Sequence, residues 1–422
     1  MRRQARVQKS ASLSAADKEF LGRHIFSELS PGTILHDFQL FLDFIQANTL
    51  EASGKFHLLP MKASAILNAQ MSHPLAIDLQ RPLARYYPHL QVLYLLARLT
   101  GLIYVTWDTK KPMLSVNERM WPSWSQLNLT ERYFTLLESW LLCTRWDFIG
   151  EQRRLEHPLW QCWPFLEDIP AAGLKISGRA DEYTIMHYFP GAENLAFFEL
   201  FGLLLVEHGT PLKGKGWRIV KVARTRFGDA IFKLLALPTV NLSVSSGADY
   251  DDQDETDNNP PFGRWQVAFQ SLFPDWQKNL ELPETPFRDG LYIFKVVLGK
   301  TVWRRIAIPA RQSFDSLSSA ILDAFAFDDD HLYSFTHQDR FGRRFFAYHP
   351  QADRRPVATE VLIGDFPLEE GMSMIFHFDF GDDWRFTVTL EQIEPVNSTV
   401  KTAKLLEKHG KAPRQYPTAD EW

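Results

Sequence analysis

The sequence contains very little cysteine. Cys143 and Cys162 are the two cysteines among 422 residues. Their separation excludes a CxxC metal knuckle, and there is no second pair to complete a zinc site. So few thiols in so long a chain are typical of a protein kept in a reducing compartment rather than of a disulfide-stapled secreted domain.

Long hydrophobic runs are also missing. The most apolar stretch, "LQVLYLLARLTGLIYV", is interrupted by Arg98 and is too short to span a bilayer. The basic opening "MRRQARVQKS" is not followed by an apolar segment, so no signal peptide is expected. The sequence therefore predicts a cytoplasmic protein without a membrane partner.

Signatures of common enzyme classes are absent as well. The sequence has no Gly-x-Ser-x-Gly elbow, no phosphate-binding glycine loop and no His-Glu-x-x-His. There is no excess of positive charge either, since the net charge is −5 and the pI is about 6.2. A globally basic nucleic-acid binder is thereby disfavoured, although a summed charge does not exclude a local basic face.

The length predicts two or three domains, and composition suggests where they divide. The stretch "SSGADYDDQDETDNNPP", residues 245–261, is acidic and almost free of apolar residues, which predicts a disordered linker. Residues 1–244 then form a mainly helical domain, and residues 262–422 form an α+β domain with a mostly antiparallel sheet. The predicted fold class of the whole chain is α+β.

Two stretches of the helical part, about 81–143 and 193–237, have the winged-helix outline of helix, strand, turn, strand and helix. In the second, the predicted turn "TPLKGKGW" and the strand after it are basic. A basic hairpin tip can lie on a phosphate backbone, while the alternatives are a protein contact or a solvated charged face. The candidate nucleic-acid-binding residues are Lys213, Lys215, Arg218, Lys221 and Arg224.

The C-terminal part alternates apolar and polar residues in several short runs. The succession "LYIFKVVL", "VWRRIAIP", "DAFAFDDDHLYSF" and "GMSMIFHFDFGDDWRFTVTLE", with its core at 291–391, resembles the plasmid pRiA4b ORF-3-like family. The helical part is similar to the extension of longer members, most clearly at "YFTLLESWL". The resemblance implies an α+β fold and an association with insertion sequences and plasmids, and it supplies no established reaction.

The run "FHFDFGDDWRF" contains a possible metal site. Asp-Phe-Gly is also the magnesium-holding signature of protein kinases, but no kinase catalytic loop precedes it. Carboxylates and imidazoles can hold Mg²⁺ or Mn²⁺, and strand alternation would point a histidine and an aspartate at one ion. No other cofactor is expected. The candidate ligands are His377, Asp379, Asp382, Asp383 and His331.

The competing interpretation of the same run is a structural hairpin. Gly381 is expected to supply a positive φ, with aspartate side chains bonding to nearby N–H groups. Trp384 is expected to cover one end of the sheet. One of Arg304 and Arg305 is expected to pair with a carboxylate of the turn.

Three functional hypotheses follow from these features. The first is a non-catalytic factor of a mobile element that binds DNA or a protein. The second is a metal-dependent phosphodiester hydrolase that uses Asp379, Asp382 and Asp383. The third is an adaptor or a toxin–antitoxin-like component, and the sequence predicts no oligomeric state.

Overall fold

The computed structural model describes the chain except for residues 1–12, 107–110, 144–145, 150–157, 177, 189, 215, 238–239, 241–261, 283–285, 339–343, 396–399 and 417–422. The predicted linker at 245–261 lies outside the described residues. The chain divides into two compact units after Leu282. Helices dominate the first unit and an antiparallel sheet dominates the second, so the α+β prediction is confirmed.

The first unit contains eleven of the described helices and two small sheets. The helices are α1 (Ala15–Gly22), α2 (Ile34–Ala47), α3 (Met61–Gln70), α4 (Pro88–Leu99), α5 (Trp121–Gln126), α6 (Leu129–Cys143), α7 (Pro158–Asp168), α8 (Arg179–His187), α9 (Ala192–Leu200), α10 (Arg226–Leu235) and α11 (Gln266–Phe269). The strands are β1 (Leu50–Glu51), β2 (Ile103–Thr106), β3 (Met113–Val116), β4 (Leu174–Lys175), β5 (Leu204–His208) and β6 (Ile219–Arg224), in the orders β1-β3-β2 and β4-β6-β5.

Helix α4 lies at the centre of this unit. Every residue of α4 except Arg98 is buried, as expected of a helix that is apolar on all sides. Around it, aromatic side chains join the neighbouring helices, and the indole of Trp140 on α6 stacks on Phe197 of α9 at 4.6 Å and 17°. The core is thus built from apolar helices that surround α4.

Both predicted helix–strand–strand–helix stretches are present. The first runs from α4 through β2 and β3 to α5 and α6, and the second runs from α9 through β5 and β6 to α10. In the second, Thr225 caps α10 by accepting a hydrogen bond from the N–H of Gly228 at 2.8 Å. Their identity as winged-helix units stays a prediction.

The segment 262–282 packs into the first unit, so the boundary predicted at residue 262 differs from the structural division. Trp276 stacks on Phe134 of α6 at 4.3 Å and 3°. The buried carboxylate of Glu138 accepts hydrogen bonds from the N–H groups of Gly263 and Trp265, at 2.5 and 2.8 Å. The buried aromatic stacking and the hydrogen bonds to Glu138 explain why the segment belongs to the helical first unit rather than to the unit that contains the large sheet.

The second unit consists of one seven-stranded antiparallel sheet and one long helix. The strands are β7 (Leu291–Leu298), β8 (Val302–Pro309), β9 (Tyr333–Gln338), β10 (Arg344–Tyr348), β11 (Ser373–Phe378), β12 (Trp384–Glu394) and β13 (Lys404–His409), and the helix is α12 (Phe314–Phe325). The order is β10-β9-β11-β12-β7-β8-β13.

Helix α12 covers one face of this sheet. Its buried residues include Leu317, Ile321 and Phe325, which lie on the predicted apolar stripe. They pack with inward residues of the strands such as Phe376 and Phe386, both fully buried. Strand alternation places the intervening polar residues on the opposite face.

None of the helices within the described ranges combines the length and apolar character needed to cross a membrane.

Candidate functional sites

The turn between β11 and β12 is organised by the side chain of Asp379. Its Oδ1 accepts hydrogen bonds from the backbone N–H groups of Gly381 and Asp382, at 3.0 and 3.3 Å. The carbonyl of Asp379 also accepts from the N–H of Asp383 at 2.8 Å. An aspartate that bonds to N–H groups two and three residues ahead stabilises an Asx-type turn. One oxygen of this carboxylate therefore serves the turn.

The predicted role of Gly381 is wrong. Positive φ occurs at Asp379 (51°) and Asp383 (55°), and Gly381 is not among the residues with positive φ. Aspartate tolerates the left-handed region because its short polar side chain bonds locally. A Cβ on residue 381 would lie 3.2 Å from Asp379 Oδ1, which is close but not prohibitive.

The two histidines near the turn contact different carboxylates. His331 Nε2 lies 3.4 Å from Asp379 Oδ2. His377 Nε2 lies 2.8 Å from Asp383 Oδ1, which Arg385 Nε also contacts, at 2.7 Å. Burial and the charge of Arg385 lower the pKa of His377. The hydrogen bond from Arg385 lowers the pKa of Asp383, so near neutral pH this group is a carboxylate beside a neutral imidazole.

The candidate metal ligands form these separate pairs rather than one cluster. The expectation that His377 and Asp379 share a strand face is wrong, because β11 ends at Phe378 and the positive φ of Asp379 turns the chain. Asp382 is exposed on the turn. In the part of the chain that the structure describes, no group of three or more His, Cys, Asp or Glu is placed to hold a metal ion.

The sequence predicted that either Arg304 or Arg305 pairs with a carboxylate of the turn. Arg304 does not contact the turn. It is only 4% exposed. Its Nε donates to the carbonyl of Ala324 at 2.7 Å, and Nη1 donates to the carbonyl of His409 at 2.9 Å. A cation at the C-terminal carbonyls of α12 is favourable because the helix dipole is negative there. Arg304 thus fastens α12 and β13 to β8.

The other pairing, through Arg305, is also wrong. Arg305 Nε lies 2.6 Å from Glu391 Oε2, and its Nη1 contacts Glu407, so it links β8 to its neighbour β13 and, across β7, to β12. The arginine that pairs with the turn is Arg385. Trp384, the first residue of β12, is half-buried and packs edge-on against Phe327 at 5.0 Å.

The basic residues of the β5–β6 hairpin are spread along its length. Arg218 Nη1 donates to the Thr210 carbonyl at 3.3 Å, and its Nε lies 4.0 Å from Glu182. At the far end of β6, Arg224 Nε lies 3.4 Å from Asp229 Oδ1. Lys221 is half-buried and stands opposite Glu207 in the ladder. Lys213 is exposed in the loop between the strands, and Lys215 lies outside the described residues.

The loop that carries Lys213 is anchored to an earlier part of the chain. The N–H of Gly214 donates to the carbonyl of Asp78 at 3.1 Å. This contact brings Lys213 to the segment that holds the exposed residues Arg81 and Arg85. None of these three cations forms an ion pair with a residue that the structure describes. We call Arg81, Arg85 and Lys213 the basic tip.

Arg81 and Arg85 were not among the predicted residues, because they lie far from Lys213 in the chain. The sequence feature that could have indicated a binding surface there is the run "QRPLARYY", which contains two arginines and two tyrosines. In the structure the Arg85 guanidinium lies over the ring of Tyr86, 5.2 Å from its centroid. A half-buried aromatic ring therefore borders the basic tip.

A second missed arrangement is a carboxylate bridging two histidines in the first unit. Glu199 Oε2 lies 2.8 Å from His89 Nε2, and Oε1 lies 2.8 Å from His208 Nε2. Trp217 packs edge-on against both imidazoles, at 5.0 and 5.5 Å. Burial raises the pKa of Glu199, but the hydrogen bonds and charge of the two histidines outweigh it and lower the pKa to about 2. No sequence motif marks these residues, because 110 positions separate His89 from Glu199.

One further Ser-His-Asp combination does not form a catalytic triad. Ser72 Oγ lies 2.8 Å from Asp37 Oδ1 and 3.1 Å from His36 Nδ1. His36 Nδ1 is also 3.3 Å from the same aspartate oxygen. In a triad the imidazole bridges serine and aspartate through its two different nitrogens. Here both contacts fall on Nδ1, so the arrangement is a local hydrogen-bond cluster.

The second unit is an antiparallel α+β domain, and its aspartate-rich turn stabilises the hairpin formed by β11 and β12. Residues 291–415 match the family model described as "Plasmid pRiA4b ORF-3-like protein", which confirms the family resemblance for the C-terminal region. A crystal structure of a protein of unknown function from Methanosarcina mazei Go1 is 26% identical, covers 30% of this chain and 73% of its own, and has a TM-score of 0.27. No curated protein matches the chain.

Proposed function

We propose that this protein is a non-catalytic binding factor that contacts nucleic-acid phosphates through the basic tip. The observation that carries the proposal is the bond from Gly214 to Asp78, because it holds the loop of Lys213 against the segment that carries Arg81 and Arg85. Exposed cations without carboxylate partners keep their charge available for phosphate contacts. The association with mobile elements that the family resemblance implies belongs to the same proposal.

The composition of the tip also supports this function. Arginine and lysine supply most phosphate contacts in protein–nucleic acid complexes, and they position the protein without reading sequence. Tyr86, under the Arg85 guanidinium, adds a ring on which a sugar or base can pack. The exposed carboxylate of Asp78 lies in the same segment and moderates the positive charge. We therefore expect weak, salt-sensitive binding without strong sequence preference.

The hydrolase hypothesis receives less support from the turn geometry. Asp379 Oδ1 already accepts two backbone N–H groups, and Asp383 Oδ1 is engaged by Arg385 and His377. In the described part of the chain, no group of three or more potential ligands is placed to hold a divalent ion. The adaptor hypothesis shares the binding role and differs only in its partner, so the experiment below separates the two.

The test is fluorescence anisotropy with a labelled duplex of about 20 bp over a salt series from about 50 to about 200 mM. The variant is Arg85→Ala with Lys213→Ala. Each lost phosphate contact should reduce the slope of log K against log[salt] by about 0.9, so the pair should reduce it by about 2. Affinity should fall at every salt concentration.

The matched control is Lys62→Ala with Lys278→Ala, which removes two exposed cations from α3 and from the 262–282 segment of the same unit. Its slope should equal that of wild type. An unchanged slope in the tip variant would refute the role of the tip. Absence of duplex binding by wild type at about 50 mM salt would favour a protein partner instead.

A further inference from the structure

The open edge of β5 borders a groove in the first unit. β5 is the outermost strand of the β4-β6-β5 sheet, and in the described chain it pairs only with β6. The groove has a volume of about 510 Å³, which is within the range of ligand sites. Leu205 and Val206 of the strand line the groove, together with Leu29 and Pro74.

The walls of this groove expose unusual amounts of apolar surface. Leu205 is 65% exposed and Leu29 is 62% exposed. An edge strand also presents unpaired N–H and C=O groups, which are a template for another strand. Main-chain pairing along an edge, with pockets for alternate side chains, is a common mode of peptide recognition.

The charge of the groove favours a cationic occupant. Among the described residues that line it, Glu199 is the one acidic side chain, and no lysine or arginine lines it. Its low pKa keeps it ionised near neutral pH. Each of its oxygens accepts one histidine N–H, and a carboxylate oxygen can accept a second hydrogen bond.

We propose that this groove binds an extended peptide segment of a partner protein, which pairs with β5 as an added strand. Alternate apolar side chains of the segment cover Leu29 and Leu205, and a lysine or arginine of the segment points toward Glu199. The site is separate from the basic tip, so it does not depend on nucleic-acid binding. The groove gives the protein a second binding site, which selects its partner by the sequence of the bound peptide.

The test begins with a displayed library of random peptides selected on the immobilised full chain. Enriched peptides should alternate apolar residues and contain a lysine or arginine. The best enriched peptide is then synthesised, labelled and titrated by fluorescence anisotropy. Replacing its basic residue by glutamate should weaken binding at least about tenfold, because the new carboxylate faces Glu199. N-methylation of alternate backbone amides should abolish binding, because it removes the strand hydrogen bonds.

The decisive variant is Leu205→Lys, which should weaken the peptide about tenfold or more by placing a charge in the apolar wall. Val267→Lys is the matched control, since Val267 is 89% exposed in the same unit and lies outside the groove. Duplex binding should be unchanged in both variants. The proposal is overturned if no peptide is enriched, if both variants bind the peptide alike, or if N-methylation has no effect. Concentration-dependent dimerisation that Leu205→Lys abolishes would also overturn it, by making a second copy the occupant.

Discussion

Replacing Glu199 by glutamine tests whether a bridged carboxylate stabilises the helical unit. The substitution keeps the shape of the side chain and removes its charge. Among the described residues, no partner contacts the buried His89 Nδ1, so His89 must keep its proton on Nε2 and continue to donate to residue 199. His208 is 28% exposed and can change its tautomer to accept a bond from the new amide. The loss of stability in Glu199→Gln therefore reports the removed charge rather than a change in packing.

The magnitude follows from the pKa of Glu199, which falls from 4.5 to about 2 on folding. A depressed acid pKa stabilises the fold above the unfolded value, and this stabilisation is lost as pH falls through the folded value. A shift of about 2.5 units corresponds to roughly 3 kcal/mol at pH 7. By the same linkage the contribution at about pH 3 is roughly 1 kcal/mol.

The assay is urea unfolding followed by far-UV circular dichroism, because the helices lie almost entirely in the first unit. Glu199→Gln should lower the free energy of unfolding by roughly 3 kcal/mol at pH 7 and by much less at about pH 3. Glu207→Gln, an exposed residue of β5, is the control and should change it by less than about 0.5 kcal/mol. A loss of equal size at both pH values, or no loss at pH 7, would refute the reasoning.

Three other predictions address the glycines, the turn and a second buried acid. Gly202→Ala should cost at least about 3 kcal/mol in urea unfolding, because φ is 69° and the new Cβ would lie 2.1 Å from the Pro31 carbonyl oxygen. Gly54→Ala, with the same φ and no neighbour within 4 Å, should cost about 1 kcal/mol, and equal losses would contradict the close-contact explanation. Asp379→Ala should lower stability by about 2 kcal/mol through its lost backbone bonds, and Gly381→Ala by less than about 1 kcal/mol. Mn²⁺ should leave the melting temperature of wild type unchanged, whereas a rise of several degrees that is absent in Asp379→Asn would restore the metal hypothesis. Burial raises the pKa of Glu138 to about 7, so the contribution of this group to stability should fall as pH rises from 4.5 to about 7. Glu138→Gln should remove that slope between about pH 5 and about pH 8, and a persistent slope would assign it to other groups.

Local patterns in the sequence predicted much of the fold. The alternation in "VWRRIAI" predicts one face with Val302, Arg304, Ile306 and Ile308, of which the last three are buried and Val302 is half-buried. Apolar residues at helical spacing in "SFDSLSSAILDAFAF" predict the buried stripe of α12, and threonine is a residue type favoured at the N-cap position that Thr225 occupies on α10. These features depend on neighbours within one or two turns, which is why a single sequence is sufficient to predict them.

Features set by distant partners were not predicted. The segment 262–282 was assigned to the wrong unit because its anchors, Glu131 and Glu138, lie on α6, more than a hundred residues earlier. One of Arg304 and Arg305 was expected to pair with a carboxylate of the turn. Instead, Arg304 donates to backbone carbonyls and Arg305 pairs with Glu391 and Glu407 on other strands. In the turn, glycine was expected to adopt positive φ, but two aspartates do so instead.

The basic hairpin illustrates how sequence proximity and surface charge differ. Five cations follow one another within twelve residues, which suggests one continuous positive face. Along β6 the chain rises about 3.3 Å per residue, so Arg224 lies about 17 Å from the start of the strand. At that far end the Arg224 side chain pairs with Asp229. Arg218 approaches Glu182 on α8. Ion pairs thus offset Arg218 and Arg224, whereas the loop of Lys213 contacts a segment more than a hundred residues earlier that carries two further exposed arginines. A patch assembled in this way depends on the fold of the first unit, so its binding should be lost when that unit unfolds, even though the cations remain in the chain.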